Sequence, residues 1–318
     1  MKIALAGDTM LGRGVGDALA SRPVESLVAP EVVAVAAEAD LFLLNLECCI
    51  SERGERWAEP GKPFFFRAPP RATELLAHLG VDCVTLANNH ALDFGADALL
   101  DTLAYLEHAG IRSVGAGASL EEARAPVVLE AGGEAVTVVA ATDHPRAYEA
   151  GPAQPGVAFA DLRRGLPGWL RDFVLEQHKV APVLVTVHWG PNMVAAPLPY
   201  VRAAARELRA AGAALVAGHS AHVCHGAGDR ILYDLGDFLD DYAVDRKLRN
   251  DLGLLFLVTF SDGQAVRLEA VPLKLEYCHT RLAAGDDAAW ISARFRAASA
   301  ELGTPVSEED GRLIVEWR

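Results

Sequence analysis

Three histidines lie close together in one short stretch of this sequence, LVAGHSAHVCHG at residues 215–226. His219, His222 and His225 follow an apolar run there, although the whole chain of 318 residues has only ten histidines. The preceding Gly218 has no side chain and lets another part of the backbone approach closely. We therefore expect His219 and His222 to turn toward one common centre.

Polar residues that can bind metals or transfer protons also follow other apolar runs. They are Asp8, Asn45 with Glu47, the tripeptide Asn88-Asn89-His90, and His188. Carboxylate, amide and imidazole groups without thiolates suit Mn²⁺, Fe or Zn²⁺ in a catalytic site. Because one ion with an open position needs fewer ligands, the set favours two metals bridged by a carboxylate. We expect one or two divalent ions.

Each of these residues taken alone also has a purely structural interpretation. Asp8 fits a helix cap or a turn, and Asn88-Asn89-His90 fits a turn because asparagine tolerates left-handed backbone. Glu47 fits a solvated strand end, and His188 fits a buried histidine of the core. The combination favours the functional interpretation, because five such strand ends on the same sheet edge are improbable by chance.

Short apolar runs alternate with helical patterns along the chain, which is typical of a layered α/β fold. Strands are predicted at residues 2–6, 41–45, 83–87, 136–141, 183–187, 214–218, 230–235, 254–260, 265–276 and 312–317. Helices are predicted at residues 71–79, 96–109, 199–211 and 286–302. In open α/β sheets, ligands bind at the carboxyl ends of the strands. The polar residues above are therefore expected to meet at that edge of one sheet.

The composition is that of an ordinary folded protein with an excess of acidic groups. It is 51% hydrophobic and 23% charged, and the formal net charge is −14. Such a charge argues against nucleic acid as a partner. Neither an apolar run of about 18 residues nor a secretory leader pattern is visible, so we expect no direct membrane insertion and a cytoplasmic location. The five cysteines are expected to be reduced.

Six short stretches of the chain occur in the order found in one protein family. They are GDTMLGR (7–13), NLE (45–47), ANNHALDFG (87–95), VHWG (187–190), GHSAHV (218–223) and YDLGDFLDD (233–241). In these motifs the chain resembles the bacterial capsule-synthesis proteins associated with poly-gamma-glutamate, the CapA-like family. That family is itself similar to the calcineurin-like metallophosphoesterases. ANNHALDFG is the most specific of the matching motifs.

The resemblance implies a four-layer αββα sandwich with a metal site at the top of its two central sheets. It assigns residues 1–262 to the metallophosphoesterase-like domain and leaves 263–318 as a strand-helix-strand extension packed on the same domain. It makes His90 the proton donor to the leaving group, with Asp8 as the second catalytic residue. The implied ligands are Asp8 for the first metal, Glu47 as the bridge, Asn89 for the second metal, and His188, His219 and His222 to complete the coordination.

Three positions depart from the family patterns. Met10 stands where metallophosphoesterases usually have a histidine, so one expected ligand of the first metal is missing. The phosphoesterase ending Gly-His-x-His is Gly-His-Ser-Ala-His here, whereas capsule-family relatives commonly have Gly-His-His-Pro-His. HWGPN at residues 188–192 lacks the acidic residue that many relatives carry after the glycine.

Further residues are candidates for holding the substrate or for supporting the metal ligands. Arg13 lies in a glycine-rich turn, and its guanidinium can grip a phosphate or a carboxylate. KPFFFR at residues 62–67 places Lys62 and Arg67 around three phenylalanines that alternation assigns to the core. The other candidates are Asn45 and His144 for substrate contact, and Asp93, Asp237 and His225 behind the ligands, with a surface position as the alternative for His225.

These features predict a metal-dependent hydrolase with a phosphoesterase-like site. Its expected substrate is a small-molecule or peptide-like anion, either a phosphoester or a γ-glutamyl amide. The alternative is an accessory protein of the polyglutamate or capsule machinery that binds metal, polymer or a ligase partner without turnover. Met10 motivates that alternative, because it removes one metal ligand.

Overall fold

Strands and helices alternate along the chain, and each strand and helix predicted from the apolar patterns has a counterpart among them. The structure is a computed structural model that describes residues 1–58 and 61–317. The strands are β1 Lys2–Thr9, β2 Leu41–Leu46, β3 Cys49–Ile50, β4 Arg67–Ala68, β5 Cys83–Thr85, β6 Arg112–Val114, β7 Ala116–Gly117, β8 Val127–Ala131, β9 Glu134–Thr142, β10 Gly156–Val157, β11 Val183–His188, β12 Leu215–His219, β13 Ala227–Gly228, β14 Ile231–Leu232, β15 Asp237–Leu239, β16 Leu252–Ser261, β17 Gln264–Glu276, β18 His279–Leu282, β19 Ser307–Glu309 and β20 Arg312–Glu316. The α-helices are α1 Arg13–Ser21, α2 Pro30–Ala36, α3 Ala72–His78, α4 Gly95–His108, α5 Leu120–Arg124, α6 Gly168–Gln177, α7 Pro199–Ala210 and α8 Gly285–Glu301.

Two large β-sheets organise these elements. In the larger sheet the strand order is β19-β20-β17-β16-β1-β2-β5-β6, with β15 beside β1 and β18 beside β17. Strands β1, β2, β5 and β6 run parallel, and β16 pairs with β1 in the antiparallel sense. In the smaller sheet the order is β13-β14-β12-β11-β9-β8, and β9, β11, β12 and β14 are parallel.

Alternating side chains along the buried strands divide the interior into three apolar clusters. Ile3 and Leu5 of β1 belong to the cluster between the sheets, together with Val138 of β9 and Leu184 of β11. The intervening Ala4 belongs to a second cluster, which includes side chains of helices α1 to α4. A third cluster lies between the smaller sheet and helices α6 and α7. This arrangement of helices, sheet, sheet and helices confirms the predicted four-layer αββα sandwich.

The C-terminal part of the chain contributes to the larger sheet. Strand β17 pairs with β16 between Gln264 and Lys274, and β20 pairs with β17 on the other side. Helix α8 places Ile291 and Phe295 in the cluster between the two sheets. The predicted domain boundary near residue 262 stays a prediction.

Two expectations about the strands are corrected by the structure. The predicted strand at 230–235 is reduced to Ile231–Leu232, and residues 233–235 belong to no strand. The strands that end near Asp8 and Glu47 lie in the larger sheet, but those that end at His188 and His219 lie in the smaller one. The apolar runs could not distinguish the two sheets, because strands buried on both faces have no alternation that indicates their neighbours.

The helices and the cysteines bear on the expectations about the membrane and about disulfides. Within residues 1–58 and 61–317, no helix is both long enough and apolar enough to span a bilayer. The five cysteines are buried and form no disulfide among the described residues, and their reduced state stays a prediction.

We predict that Leu184→Ala lowers the free energy of unfolding by about 2–5 kcal/mol, because it leaves a cavity between the sheets. Leu175 on α6 is 39% exposed, so Leu175→Ala is the matched control and is expected to change stability by less than about 1 kcal/mol. Urea unfolding of both variants measures the difference. Equal losses in the two variants would contradict the assignment of Leu184 to the shared core.

Candidate metal centre

The carboxyl ends of strands from both sheets meet at one end of the sandwich. Asp8 lies near the end of β1, and Glu47 directly follows β2. His188 and His219 are the last residues of β11 and β12, where they pair side by side. His222 follows three positions later in the same loop as His219. All five residues are buried, so the ends of two sheets place carboxylates and imidazoles around one centre.

The distances within this group are those of a cluster whose members face one another. Asp8 Oδ1 lies 3.3 Å from His219 Nδ1, and Asp8 Oδ2 lies 3.4 Å from His222 Nδ1. Glu47 Oε1 lies 3.8 Å from His188 Nε2, and Glu47 Oε2 lies 3.9 Å from His222 Nδ1. One ligand atom each from Asp8, Glu47 and His222 falls within 4.8 Å of the others. Three buried donors at such separations fit a metal ion.

Several buried polar atoms of the cluster have no hydrogen-bond partner. They include Glu47 Oε1, His188 Nε2 and His219 Nδ1. Buried polar atoms are normally satisfied, because an unpaired one costs about 1–3 kcal/mol. A divalent cation would satisfy these atoms together, and oxygen with imidazole donors suits Mn²⁺, Fe or Zn²⁺. The residues present therefore fit a divalent ion.

The electrostatics of the cluster also favour a cation. Burial, followed by the charge of Asp8, raises the pKa of Glu47 well above its usual value. Burial would raise the pKa of Asp8 as well, but the imidazoles of His219, His188 and His222 lower it instead. Burial opposes protonation of His222, yet the charges of Glu47 and Asp8 raise its pKa. The ionised forms of these two buried carboxylates therefore depend on nearby positive charge.

The loop GHSAH turns His219 and His222 toward Asp8. Gly218 allows this approach, since a Cβ there would lie 2.1 Å from the carbonyl oxygen of Tyr233. Ser220 adopts a φ of 109° and His222 a φ of 59°, both unusual for residues with side chains. Such backbone is retained only where surrounding contacts support it. Here the amide of Ser220 points at Asp8 Oδ2, 3.3 Å away, and that of Ala221 donates to a carboxylate, Asp234.

A chain of buried amides holds Asp8 in place. Asn45 Nδ2 donates to Asp8 Oδ1 over 2.7 Å, and Asn88 Nδ2 donates to Asn45 Oδ1 over 3.0 Å. Asn88 Oδ1 in turn accepts from the amide of His90. Both side-chain groups of Asn45 are therefore engaged within the protein. Its predicted contact with substrate stays a prediction.

His90 lies beside the cluster and is oriented by its own partners. Its Nδ1 is 2.6 Å from Asp93 Oδ2, and its Nε2 lies 4.0 Å from Glu47 Oε1. Its ring stacks on Phe66, with 4.0 Å between the ring centroids. Burial lowers the pKa of His90, and Asp93 acts in the opposite direction. The Nε2 atom is thus directed toward the centre while Nδ1 is held by a carboxylate.

Asp93 and Asp237 both lie against an imidazole, and their predicted supporting role stays a prediction. Asp237 Oδ1 is 2.8 Å from His222 Nδ1. His225 is different: in the described part of the chain it bonds the carbonyl of Val194 and contacts no candidate ligand. Burial lowers the pKa of His225 to about 4, so it is a neutral core histidine. The surface alternative for His225 is wrong, because its side chain is buried.

The predicted substrate residues are spread over different environments. Arg13 lies at the edge of the cluster, where it forms an ion pair with Asp241 over 3.0 Å. Lys62 forms an ion pair with Asp93 over 3.0 Å and donates a hydrogen bond to the backbone carbonyl of Asn89. Arg67 donates to backbone carbonyls of residues 53 and 54. His144 lies 5.3 Å from the ring of His188, measured between centroids.

Alternation misplaced part of KPFFFR. Phe66 is buried as expected, but Phe64 is 55% exposed and Phe65 is half-buried. The segment forms no regular strand between Lys62 and Phe66, so period-two alternation does not apply there.

Two residues of the site were not singled out from the sequence. Tyr242 donates its hydroxyl to Glu47 Oε2 over 3.3 Å, and Asn192 lies 3.1 Å from His222 Nε2. Tyr242 directly follows the last family motif, and Asn192 ends HWGPN. The position of these residues beside the family motifs was the signal in the sequence that could have identified them.

Met10 does not face the cluster. Its side chain is fully buried in the apolar cluster between the larger sheet and the helices. Its sulfur accepts the amide of Gly12 over 3.1 Å. The thioether therefore supports the turn before α1 and takes no place among the ligands.

Comparison with known proteins agrees with the motifs. Residues 2–242 match the family described as "Bacterial capsule synthesis protein PGA_cap". A protein of Mycobacterium tuberculosis named "Probable polyglutamine synthesis accessory protein" is 32% identical over 292 residues, which cover 86% of this chain and 76% of that protein. The "PGA biosynthesis protein CapA" of Bacillus subtilis is 26% identical over 282 residues, covering 86% of this chain and 72% of that protein.

Among solved structures, a hypothetical protein from Thermus thermophilus shares the fold. Its TM-score is 0.52 at 19% identity, and the match covers 86% of this chain and 99% of that one. The family match extends over most of the chain and contains every candidate ligand described above. The chain therefore belongs to the bacterial capsule synthesis protein family.

Proposed function

We propose that this protein is a metal-dependent hydrolase. The observation that carries the proposal is the burial of Asp8 and Glu47 among three imidazoles, with ligand atoms that no protein group satisfies. His90 and His222 also line a cavity beside this cluster, which gives a substrate a way to reach it. A structural metal site has no need of such an opening.

The donors of the centre are oxygen and imidazole nitrogen. We assign the metal ligands to Asp8, Glu47, Asn89, His188, His219 and His222, which would hold one or two ions. When bound, such an ion activates water and neutralises charge that develops on a phosphoryl or carbonyl oxygen. Asn45 positions Asp8 through the hydrogen bond to its Oδ1, and Asp237 positions His222 in the same way.

His90 is the group that we assign to proton donation. Asp93 Oδ2 accepts a hydrogen bond from His90 Nδ1, and Lys62 pairs with the other oxygen of Asp93. The imidazole of His90 is therefore held in one orientation. Its Nε2 is thereby left for the leaving group of the substrate, a phosphoester or a γ-glutamyl amide. Arg13 is the cation that we assign to the substrate anion. Lys62 and Arg67 are engaged within the protein.

We predict that the protein loaded with Mn²⁺ carries up to two ions per chain, and that Glu47→Gln carries one or none. His188→Ala and His219→Ala are expected to lower the metal content for the same reason. The matched control is His78→Ala, because His78 is exposed at the end of α3. Mass spectrometric metal analysis after gel filtration gives the count. Unchanged content in all of the cluster variants would refute the metal centre.

We predict that His90→Gln lowers kcat for phenyl phosphate by about 10²–10⁴ while metal content stays constant. The loss should be smaller for 4-nitrophenyl phosphate, whose leaving group departs without a proton. His108→Gln, at an exposed position near the end of α4, is the matched control. Steady-state kinetics on both esters decide the question. Equal losses on the two esters would remove the proton-donor role, and a loss of metal would make His90 a ligand.

A second candidate function is an accessory role in polyglutamate or capsule assembly, without turnover. Met10 favours it, because its sulfur is turned into the apolar cluster and supplies no ligand to the first metal. The name of the Mycobacterium tuberculosis relative points the same way. In this role the metal centre would bind polymer or a ligase partner. The cytoplasmic location stays a prediction under either function.

An experiment with poly-γ-glutamate distinguishes the two proposed functions. For the hydrolase that cleaves γ-glutamyl bonds, we expect chain shortening that requires the metal and is lost in Glu47→Gln. For the accessory protein, we expect binding with no shortening, detected by co-sedimentation and by gel electrophoresis of the polymer. Absence of both binding and shortening would leave the phosphoester as the substrate class and would count against the accessory role.

A further inference from the structure

A cavity of about 310 Å³ opens directly beside the candidate metal centre. Its wall includes His90 and His222 on the side of the cluster, and the aromatic residues Phe64, Phe66 and Tyr242. Small-molecule sites are commonly 300–1,000 Å³ and are lined mainly by apolar and aromatic side chains with a few polar groups. This cavity therefore has the size and the lining of a site for one small molecule.

Arg13 joins the aromatic residues to a charge. The centre of its guanidinium lies 5.7 Å from the ring of Phe64, 5.5 Å from that of Phe66 and 5.9 Å from that of Tyr242. Its side chain is 38% exposed, although it also pairs with Asp241. Among the described residues that line the cavity, Arg13 is the only lysine or arginine. The cavity thus offers one strong cation surrounded by rings.

The surrounding charges argue against a polyanion inside this cavity. A γ-glutamyl polymer carries one carboxylate per residue, and each would need a cation or water. Lys62 is committed to Asp93, while Asp241 already faces Arg13. Asp240 and Asp237, both buried, add acidic groups behind the cavity. A ligand with a single anionic group and an otherwise uncharged body matches this distribution better.

The mouth of the cavity exposes apolar surface to water. Phe64 is 55% exposed and Met193 is 37% exposed. Met193 is tied to the histidine loop, because its amide donates to the carbonyl of Ala221 over 3.0 Å. Exposed apolar side chains gathered at the mouth of a pocket mark a binding site for an apolar group. Phe64 and Met193 are thus placed to contact the part of a ligand that extends away from the metal centre.

We propose that the substrate is a phosphoester with a planar aromatic group, an inference that rests on the hydrolase function proposed above. The aromatic group lies against Phe64 and Tyr242, and the phosphoryl group faces the metal centre near Arg13. In the reaction, water adds to phosphorus, the ester P–O bond breaks, and the leaving oxygen takes up a proton. One water is consumed, and a phosphate product and a hydroxyl compound are released.

The test compares phenylphosphonate with methylphosphonate, which share the anionic group and cannot be hydrolysed as esters. In calorimetric titrations of the Mn²⁺-loaded protein, we expect phenylphosphonate to bind at least about tenfold more tightly, because a ring stacks on aromatic side chains. Phe64→Ala should remove most of this preference. Phe65→Ala is the matched control, since the ring of Phe65 packs on Phe94, with 6.4 Å between centroids.

The outcomes separate this inference from the function on which it rests. Equal affinity for the two phosphonates, or a preference unaffected by Phe64→Ala, overturns the aromatic site. Hydrolysis of methyl and phenyl phosphate with the same kcat/KM would do so too, while leaving the hydrolase intact. An aromatic preference with no turnover of either ester would instead overturn the hydrolase and support the site as a binding site. Urea unfolding of Phe64→Ala checks that the variant is folded.

Discussion

The burial of two carboxylates, Asp8 and Glu47, beside one another is the constraint on which the arrangement of this site depends. An ionised carboxylate is costly to remove from water unless positive charge or hydrogen-bond donors surround it. The protein meets that cost with imidazoles on one side and with the amide of Asn45 on the other. Because the compensation is incomplete at Glu47 Oε1, the site retains a place for a cation.

The αββα sandwich brings this about by placing the carboxyl ends of parallel strands from its two sheets next to one another. Among the five residues of the cluster, the carboxylates come from the ends of β1 and β2, and the imidazoles come from the ends of β11 and β12 and the loop after β12. The close approach depends on glycine: a Cβ on Gly7 would lie 1.8 Å from the carbonyl oxygen of Gly236, and Gly218 is equally restricted by Tyr233. The apolar cluster between the sheets keeps these ends in register, so core packing and site geometry are linked.

The charged side chains in the outer part of the site differ in their roles: some maintain the structure, and one is free to contact a ligand. Lys62 and Asp93 form a buried pair that orients His90, so their contribution is to geometry. Arg13 remains partly exposed among aromatic rings and is available to an anion. One partly exposed cation beside an aromatic wall is what we would expect for the proposed small ligand with one anionic group, whereas a row of free cations would have indicated a polymer.

The sequence by itself determined the strand order along the chain, the αββα class through its motifs, and the polar residues at the strand ends. These are local properties, because each strand is an apolar run that stops at a polar residue such as Asp8 or His188. The tertiary structure alone decided which sheet each strand joins. It also decided that Lys62 pairs with Asp93 and that Tyr242 reaches Glu47. Such contacts join residues far apart in the chain, as with the 195 positions between Glu47 and Tyr242. No local pattern encodes them, since they arise from packing of complete layers.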